Sequence, residues 1–267
     1  MNAPPSPPLP RERVRLFDQQ AEQYDRYRPG YPEQLIEAIL APDDPASLRI
    51  LDVACGPGTI ARQLAARGAR LLGVELNPQM AALAVAHGIS CETCAFESWD
   101  PAGRRFERVV CAQAWHWLNP QQALDTIAAL LIPGGRLCLA WNIGWHPAAL
   151  SDALHACYRK QLGAEHALTV GYATQRPNTP RSEFSGPLRA VLADDDRFTR
   201  ARVECFRWQR ATSAADWVGE LRSHSDHAAL SSPLRERLLA DVAATIGRVG
   251  GSFELNYESI LIDAVRR

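Results

Sequence analysis

The segment from Ile50 to Thr59 has the residue types and the order expected of a ligand-binding turn. An apolar run over 50–54 leads to Gly56 and Gly58, and the residues after the turn carry apolar side chains at helical spacing. Glycine allows backbone conformations closed to other residues and lets a ligand approach without meeting a Cβ. The N-terminus of the following helix offers free N–H groups. This strand–turn–helix pattern predicts that a small polar ligand lies across the turn.

The turn alone does not identify the ligand, because Gly56, Gly58 and Ala61 also match the loose dinucleotide fingerprint. Asp52 lies inside the strand, four residues before Gly56. A carboxylate there is poorly placed beside a pyrophosphate but well placed beside an ammonium or sulfonium group. Glu75, at the end of the next predicted strand, suits a ribose diol, which both kinds of ligand contain. Asp52 therefore favours a cationic ligand, and an NAD(P)-dependent oxidoreductase is the alternative.

Strand and helix patterns alternate on both sides of this turn. Their alternation predicts a doubly wound, mostly parallel seven-stranded α/β sheet with helices on both faces. The last two strand patterns lack a full crossover between them, which predicts an antiparallel edge of the sheet and an antiparallel C-terminal strand. In such a sheet the ligand lies beyond the carboxyl ends of the strands. The strand patterns cover 48–54, 69–75, 89–96, 108–112, 135–141, 202–210 and 253–265.

Composition limits the kinds of partner. The 267 residues have a formal net charge of −1, which gives no sign of a basic surface for nucleic acid or an anionic membrane. Seven cysteines are an odd number, and Cys91-x-x-Cys94 lacks the further ligands that a zinc site needs, so we expect free thiols and no metal. No apolar run reaches the ~18 residues of a membrane span. We expect a cytoplasmic monomer or homodimer that binds a small molecule, and neither nucleic acid nor a membrane.

Three motifs resemble those of class I S-adenosylmethionine-dependent methyltransferases. They are Leu-Asp-Val-Ala-Cys-Gly-Pro-Gly-Thr at 51–59, Gly-Val-Glu-Leu-Asn-Pro-Gln-Met at 73–80 and Gln-Ala-Trp-His-Trp at 113–117. The segments 17–32 and 250–253 are similar to the two ends of small-molecule members related to trans-aconitate methyltransferases. The resemblance implies in-line transfer of a methyl group from S-adenosylmethionine to a small-molecule acceptor, with S-adenosylhomocysteine as the product. The alternatives are the oxidoreductase and a protein that binds S-adenosylmethionine without methylating.

The resemblance also implies roles for individual residues. One departure concerns adenine recognition, because many members carry an acid where this chain has Ala95, so that recognition would rest on backbone groups or on Glu97. The residues implied around the methionine part of the cofactor are Tyr24, Arg28, Asp52, Ala54, Gly56, Gly58 and Gln113. Those implied around its ribose and adenine are Glu75, Leu76, Met80, Phe96 and Glu97.

His116 is the predicted catalytic residue, because a histidine can accept a proton near neutral pH. Between two tryptophans, its alternative role is packing or hydrogen bonding. Arginine binds carboxylates and phosphates through a forked guanidinium, which makes Arg176 a candidate for substrate binding. The full set of predicted substrate-side residues is Tyr31, Trp115, Trp141, Asn142 and Arg176.

Composition and periodicity divide the chain into four parts. Residues 1–10 hold five prolines and little to bury, so we expect a disordered tail. Residues 11–142 are predicted as a cofactor-binding α/β core with an N-terminal lid. The strand–helix alternation stops after 142, which predicts an inserted substrate cap over 143–200. Residues 201–267 then complete the core.

Overall fold

A seven-stranded sheet forms the centre of the protein in a computed structural model, which describes residues 20–174, 192 and 195–267. The strands are β1 (Arg49–Val53), β2 (Arg70–Glu75), β3 (Ser90–Thr93), β4 (Phe106–Ala112), β5 (Leu131–Trp145), β6 (Arg202–Ser213) and β7 (Ser252–Val265). They lie in the order β3-β2-β1-β4-β5-β7-β6. The first five pair in parallel, and β7 runs antiparallel to both β5 and β6. The predicted seven-stranded, mostly parallel fold is confirmed.

Helices pack on the sheet, and their starts follow the sequence. Asn77 and Asn119 accept hydrogen bonds from the first turn of the helices that follow them, and a proline comes next in each case. The helices are α1 (Ala21–Tyr27), α2 (Glu33–Leu40), α3 (Thr59–Ala65), α4 (Pro78–Ala86), α5 (Pro120–Leu130), α6 (Ala148–Leu162), α7 (Ala167–Thr174), α8 (Ala214–Arg222), α9 (Ser225–Ala228) and α10 (Ser232–Arg248). Short 3₁₀ turns cover Pro45–Ser47, Phe96–Ser98 and Trp115–Trp117.

Each face of the sheet has its own hydrophobic core. Successive residues of a strand point to opposite faces, so neighbours in β1 belong to different cores. Ile50 is buried in the core that contains Leu35 of α2 and Leu64 of α3. Leu51 is buried in the core that contains Leu124 of α5. The sheet is therefore covered by helices on both sides, as the doubly wound prediction requires.

A third core joins the described part of the segment 143–200 to the C-terminal helices. Leu154 and Tyr158 of α6 are buried together with Trp217 of α8 and Leu239 of α10. β7 also contributes to this core. The described helices of the segment thus share their core with residues beyond 200, while the predicted division of the chain into four parts stays a prediction.

Three elements differ in extent from the sequence prediction. β5 runs past 141 to Trp145, because β7 continues to pair with it as far as the Trp145–Asn256 register. β3 ends at Thr93, three residues before the predicted end. The prolines and aromatic residues over 24–32 predict that this segment is not a plain helix, but α1 stays helical to Tyr27. It ends there because Arg28 precedes a proline and is extended.

Two expectations about the chain as a whole have different outcomes. The predicted disordered tail over 1–10 lies outside the described residues. Within the part of the chain that the structure describes, no helix combines the length and the apolar character needed to cross a membrane.

Candidate active site

A cavity of about 740 Å³ opens at the carboxyl ends of β1, β2 and β4. The chain order of the strands reverses between β1 and β4, and parallel sheets bind their ligands at such a switch point. Small-molecule sites have volumes of roughly 300–1,000 Å³, so the cavity is of this class. The predicted residues on its wall are Tyr24, Arg28, Tyr31, Asp52, Ala54, Gly56, Glu75, Leu76, Met80, Phe96, Glu97, Gln113 and His116.

Asp52 places a buried carboxyl group on the wall of this cavity. The residue is 1% exposed, and neither carboxylate oxygen has a hydrogen-bond partner among the described residues. Burial raises the pKa of Asp52 well above its ordinary value, and the charge of Glu75 raises it further. An unpaired buried carboxylate is unfavourable unless a cation compensates it. The site therefore fits a ligand that carries a positive charge.

Glu75 holds the glycine turn in place. The backbone N–H of Gly56 donates to its Oε2 and that of Asn77 to its Oε1, each at 2.8 Å. Burial raises the pKa of Glu75, and these backbone donors oppose the rise. A carboxylate offers about four lone-pair positions, so both oxygens can still accept bonds from ligand hydroxyls. Nothing lies within 4 Å of a Cβ at Gly56, whose φ of +57° favours glycine.

Two residues with side chains hold left-handed backbone conformations on the cavity wall. Ala54 has a φ of +53° and Gln113 a φ of +58°. This region costs a residue with a Cβ roughly 1–2 kcal/mol. Gln113 is held there because its backbone N–H donates to the Ala140 carbonyl at 2.8 Å and its Nε2 to the Asn142 carbonyl at 3.1 Å. Backbone strain is thus stored at the site, as is common where a ligand binds.

His116 follows β4 on the 3₁₀ turn and lies beside Trp117, with 4.4 Å between the ring centroids. Partial desolvation of the ring at the cavity wall lowers the pKa of His116 from the usual value of about 6.5. The imidazole is therefore neutral at pH 7 and able to accept a proton. The geometry is compatible with both predicted roles, proton acceptor and packing residue.

The lid residues reach the cavity because α8 holds α1 in place. The Arg28 guanidinium lies over the ring of Tyr24, 4.9 Å from its centroid, and its Nε donates to the Ser223 hydroxyl at 2.9 Å. Tyr27 packs against Gly219 of α8 so closely that a Cβ there would come within 2.6 Å of the tyrosine ring. The helix that carries Tyr24 is thus fixed by residues almost 200 positions away in the chain.

Comparison with known proteins identifies the central segment. The model of the methyltransferase domain family matches residues 50–135. An uncharacterized methyltransferase of Mycobacterium tuberculosis (strain ATCC 25618 / H37Rv) is 35% identical over 131 residues, which are 46% of this chain and 52% of the relative. A ubiquinone biosynthesis O-methyltransferase of Xanthomonas axonopodis pv. citri (strain 306) is 31% identical over 139 residues, 49% of this chain and 55% of the relative. The matches span about half the length of these curated relatives.

Solved structures extend the likeness of the fold over most of the chain. A protein named as a type II methyltransferase from Anaeromyxobacter dehalogenans has a TM-score of 0.59 and 20% identity, and the alignment covers 90% of this chain and 98% of that one. Residues 50–135 thus match the methyltransferase domain family, and over most of the chain the fold is similar to that of solved methyltransferases. An S-adenosylmethionine-dependent methyltransferase from Thiobacillus denitrificans, in complex with S-adenosylhomocysteine, has a TM-score of 0.51 and 16% identity over 98% of this chain and 100% of its own. The likeness of the methyltransferase domain to the trans-aconitate group stays a prediction.

Four of the described residues predicted for the site do not lie on the cavity wall; they are Gly58, Trp115, Trp141 and Asn142. Gly58 begins α3 with a φ of +80°, and a Cβ there would meet Ile89 at 3.3 Å. Trp115 is 3% exposed in the core, and Trp141 packs against the same core. Gly58 and Trp115 thus support the fold around the site. Arg176 lies outside the described residues.

Asn142 links the lid segment to the sheet. Its Nδ2 donates to the Gly30 carbonyl at 2.9 Å, and its Oδ1 accepts from the Ser259 hydroxyl at 2.5 Å. Its backbone carbonyl accepts the bond from Gln113. Because its side-chain amide is used inside the protein, Asn142 positions the wall of the cavity and is not on it. The predicted contact of Asn142 with substrate stays a prediction.

A further part of the wall comes from the chain after α8, where His224, Ser225 and Asp226 face the cavity. No motif marks these residues. They arrive at the site because α8 packs on α1, a contact between distant parts of the chain. The available signal is a run of polar residues directly after an amphipathic helix, which by itself does not distinguish a binding wall from a solvated loop.

Proposed function

We propose that the protein transfers a methyl group from S-adenosylmethionine to a small-molecule acceptor. When bound, this cofactor supplies a methyl group activated by a sulfonium. The observation that carries the proposal is Asp52, a buried carboxylate without a hydrogen-bond partner among the described residues, on the wall of a cavity at the switch point of the sheet. A ligand with a positive charge offsets the cost of that carboxylate, whereas a pyrophosphate would increase it.

Other residues of the same wall fit the rest of the cofactor. Glu75 would bind the ribose hydroxyls with the lone pairs that the backbone leaves free. Leu76, which is 43% exposed, would cover the adenine together with the thioether of Met80. Tyr24 and Arg28 would close over the methionine part, held there by Ser223.

On the acceptor side, this chain supplies a neutral histidine in a small enclosed space. His116 would take the proton from an acceptor hydroxyl or amine as the nucleophile attacks, since its lowered pKa keeps it in the basic form. Holding the nucleophile in line contributes up to roughly 7–11 kcal/mol in favourable models. The net charge of −1 supports a small-molecule acceptor over nucleic acid. A cytoplasmic monomer or homodimer stays part of the proposal.

Transfer of a labelled methyl group tests the function. The purified protein is incubated with S-adenosylmethionine labelled in the methyl group and with a deproteinised metabolite extract. We expect labelled small molecules and stoichiometric S-adenosylhomocysteine. Thermal shift in the presence of S-adenosylhomocysteine or NADH separates the alternatives, because a ligand at 100 times its Kd stabilises by about 2.7 kcal/mol. Stabilisation by NADH alone would favour the oxidoreductase. Stabilisation by S-adenosylhomocysteine without label transfer would favour a non-methylating binding protein.

A further inference from the structure

We propose that His224, Asp226 and His227 form a binding site for one divalent transition-metal ion on the wall of the cavity. One ligand atom from each residue, an imidazole nitrogen or a carboxylate oxygen, lies within 4.8 Å of the other two. Among the described residues, no other set of histidine, cysteine and acidic side chains comes together in this way. The site is independent of methyl transfer, and it differs from the cysteine pair that the sequence offers as a zinc ligand.

The donor set selects the kind of ion. Two imidazoles and one carboxylate suit zinc, cobalt, nickel or iron(II), whereas calcium and magnesium prefer oxygen ligands alone. Three protein ligands leave at least one coordination position open. The class of ion is therefore a first-row transition metal with room for a further ligand.

The orientation of His227 is already fixed as a metal ligand requires. The residue is 2% exposed, and its Nε2 lies 2.7 Å from the hydroxyl of the fully buried Tyr158. Metal-binding histidines commonly use their second ring nitrogen in such a bond, which sets the ring orientation. The remaining nitrogen, Nδ1, faces Oδ1 of Asp226 at 2.8 Å. Two of the three donors are thus adjacent and oriented.

His224 supplies the third donor. Its Nε2 is buried without a hydrogen-bond partner among the described residues, a state that is unfavourable for an imidazole. Its ring stands edge-on to that of His227, with 5.7 Å between the centroids. Ligand distances of about 2.0–2.2 Å place tetrahedral donors roughly 3.4 Å apart. The ring of His224 would close on the other two donors, and Oδ1 of the exposed Asp226, now 2.8 Å from His227 Nδ1, would move slightly away from that nitrogen.

The open position of the ion would face the cavity. His224 and Asp226 are both on the cavity wall, so a ligand oxygen in the cavity can reach an ion held between them. Such an ion would polarise a hydroxyl or carboxyl oxygen of a molecule bound in the cavity. Arg28, tied to Ser223 next to His224, adds a positive charge that weakens cation binding, and the negative charge of Asp226 offsets it.

Titration of the metal-free full-length protein with Co²⁺, followed by calorimetry and visible absorption, tests the site. We expect one Co²⁺ per chain. His224→Ala and Asp226→Asn should each weaken this binding at least about 100-fold, and Tyr158→Phe about 10-fold through the orientation of His227. His155→Ala removes a histidine outside the cluster and serves as the matched control, with unchanged binding.

Three results would overturn the metal site. They are the absence of a stoichiometric Co²⁺ complex, equal binding in wild type, His224→Ala and Asp226→Asn, and loss of binding in Cys91→Ser instead. The last would place the ion on thiolates, which also add an intense near-ultraviolet band. S-adenosylhomocysteine binding, measured on every variant, shows whether the fold and the cofactor site are intact. Failure of the metal site and failure of the proposed methyl transfer are therefore distinguishable.

Discussion

At the scale of single residues, Asp52 affects both the stability of the free protein and the binding of a cationic ligand. The carboxylate is buried and unpaired among the described residues, and the nearby charge of Glu75 makes its ionisation harder still. The same features that make it unfavourable in the free protein make it favourable beside a cation. Binding and stability should therefore respond in opposite directions to its removal, a trade-off common in functional sites.

Asp52→Asn is expected to stabilise the ligand-free protein at pH 7 by on the order of 1–3 kcal/mol, because a carboxyl group whose ionisation is opposed by burial is replaced by a group that does not ionise. The pKa of Asp52 is raised by folding, so its ionisation opposes folding only above the unfolded value of about 3.9. The penalty grows as the pH rises toward the folded value. Wild type and variant should thus have equal free energies of unfolding near pH 3.5. As the pH rises above this value, the variant should become increasingly more stable than wild type. Urea unfolding across this range measures the difference, and a less stable variant at pH 7 would contradict the burial argument.

Ala54 stores backbone strain that glycine would release. Its φ of +53° costs roughly 1–2 kcal/mol, and a glycine at this position would remove that cost. The greater flexibility of glycine in the unfolded chain would cancel ~0.4–1 kcal/mol of the resulting stabilisation. We expect Ala54→Gly to raise the free energy of unfolding by up to about 1 kcal/mol, with cofactor affinity unchanged. Chemical denaturation provides the measurement. A loss of stability would show that the Ala54 methyl group contributes packing that outweighs the strain.

At the scale of elements, the contact of α1 with α8 assembles the site. Tyr27 packs so closely on Gly219 that a side chain larger than hydrogen at position 219 would clash with the tyrosine ring. Arg210 also donates a hydrogen bond to the Tyr27 carbonyl at 3.2 Å. Arg210 is also paired with the buried Glu220. The lid is therefore a fixed part of the described structure, connected to the C-terminal half by several bonds.

Gly219→Ala should loosen the lid. The new Cβ would lie 2.6 Å from three ring atoms of Tyr27, so the ring must move, at a cost of roughly 1–3 kcal/mol. We expect weaker S-adenosylhomocysteine binding, by about 10-fold, because Tyr24 and Arg28 move with α1. Gly247→Ala in α10 is the matched control, since its Cβ meets nothing within 4 Å and should add about 0.5–1 kcal/mol of stability. Equal cofactor affinity in both variants would exclude the lid from the binding site.

The sequence predicts what is local and does not predict what depends on distant contacts. Asp52, Gly56 and Glu75 could be placed because a strand, a turn and a helix follow one another within one short pattern. Trp115 lies next to the edge of the sheet in sequence, but only the fold shows that its side chain points into the core. His224 reaches the wall through contacts such as the bond from Arg28 to Ser223, 195 positions apart, which no periodicity reveals.

At the scale of the whole molecule, the two halves of the site have different origins. Asp52, Glu75 and His116 lie within the matched methyltransferase domain, residues 50–135. The lid and the wall at 224–226 lie outside it. Part of the wall on which acceptor choice depends therefore lies outside the matched domain.

The pH dependence of overall stability should report on His146. This ring lies edge-on to Trp217, 4.6 Å between centroids, and burial lowers the pKa of His146 to about 4. The unfolded chain takes up a proton below about pH 6.5 that the folded protein refuses, so stability falls between pH 6.5 and 4. We expect His146→Gln to remove roughly 2–3 kcal/mol of this fall. Thermal unfolding at several pH values provides the measurement, and an unchanged slope would contradict the assignment.

The central claim is that Asp52 binds the cationic part of an S-adenosylmethionine-type cofactor. Calorimetric titration with S-adenosylhomocysteine, which keeps the ammonium group, tests it most directly in wild type, Asp52→Asn and the exposed control Asp196→Asn. Loss of one partner of a buried charge pair costs 2 kcal/mol or more, so Asp52→Asn should bind at least about 30-fold more weakly while the control is unchanged. Wild-type affinity in Asp52→Asn would contradict the account.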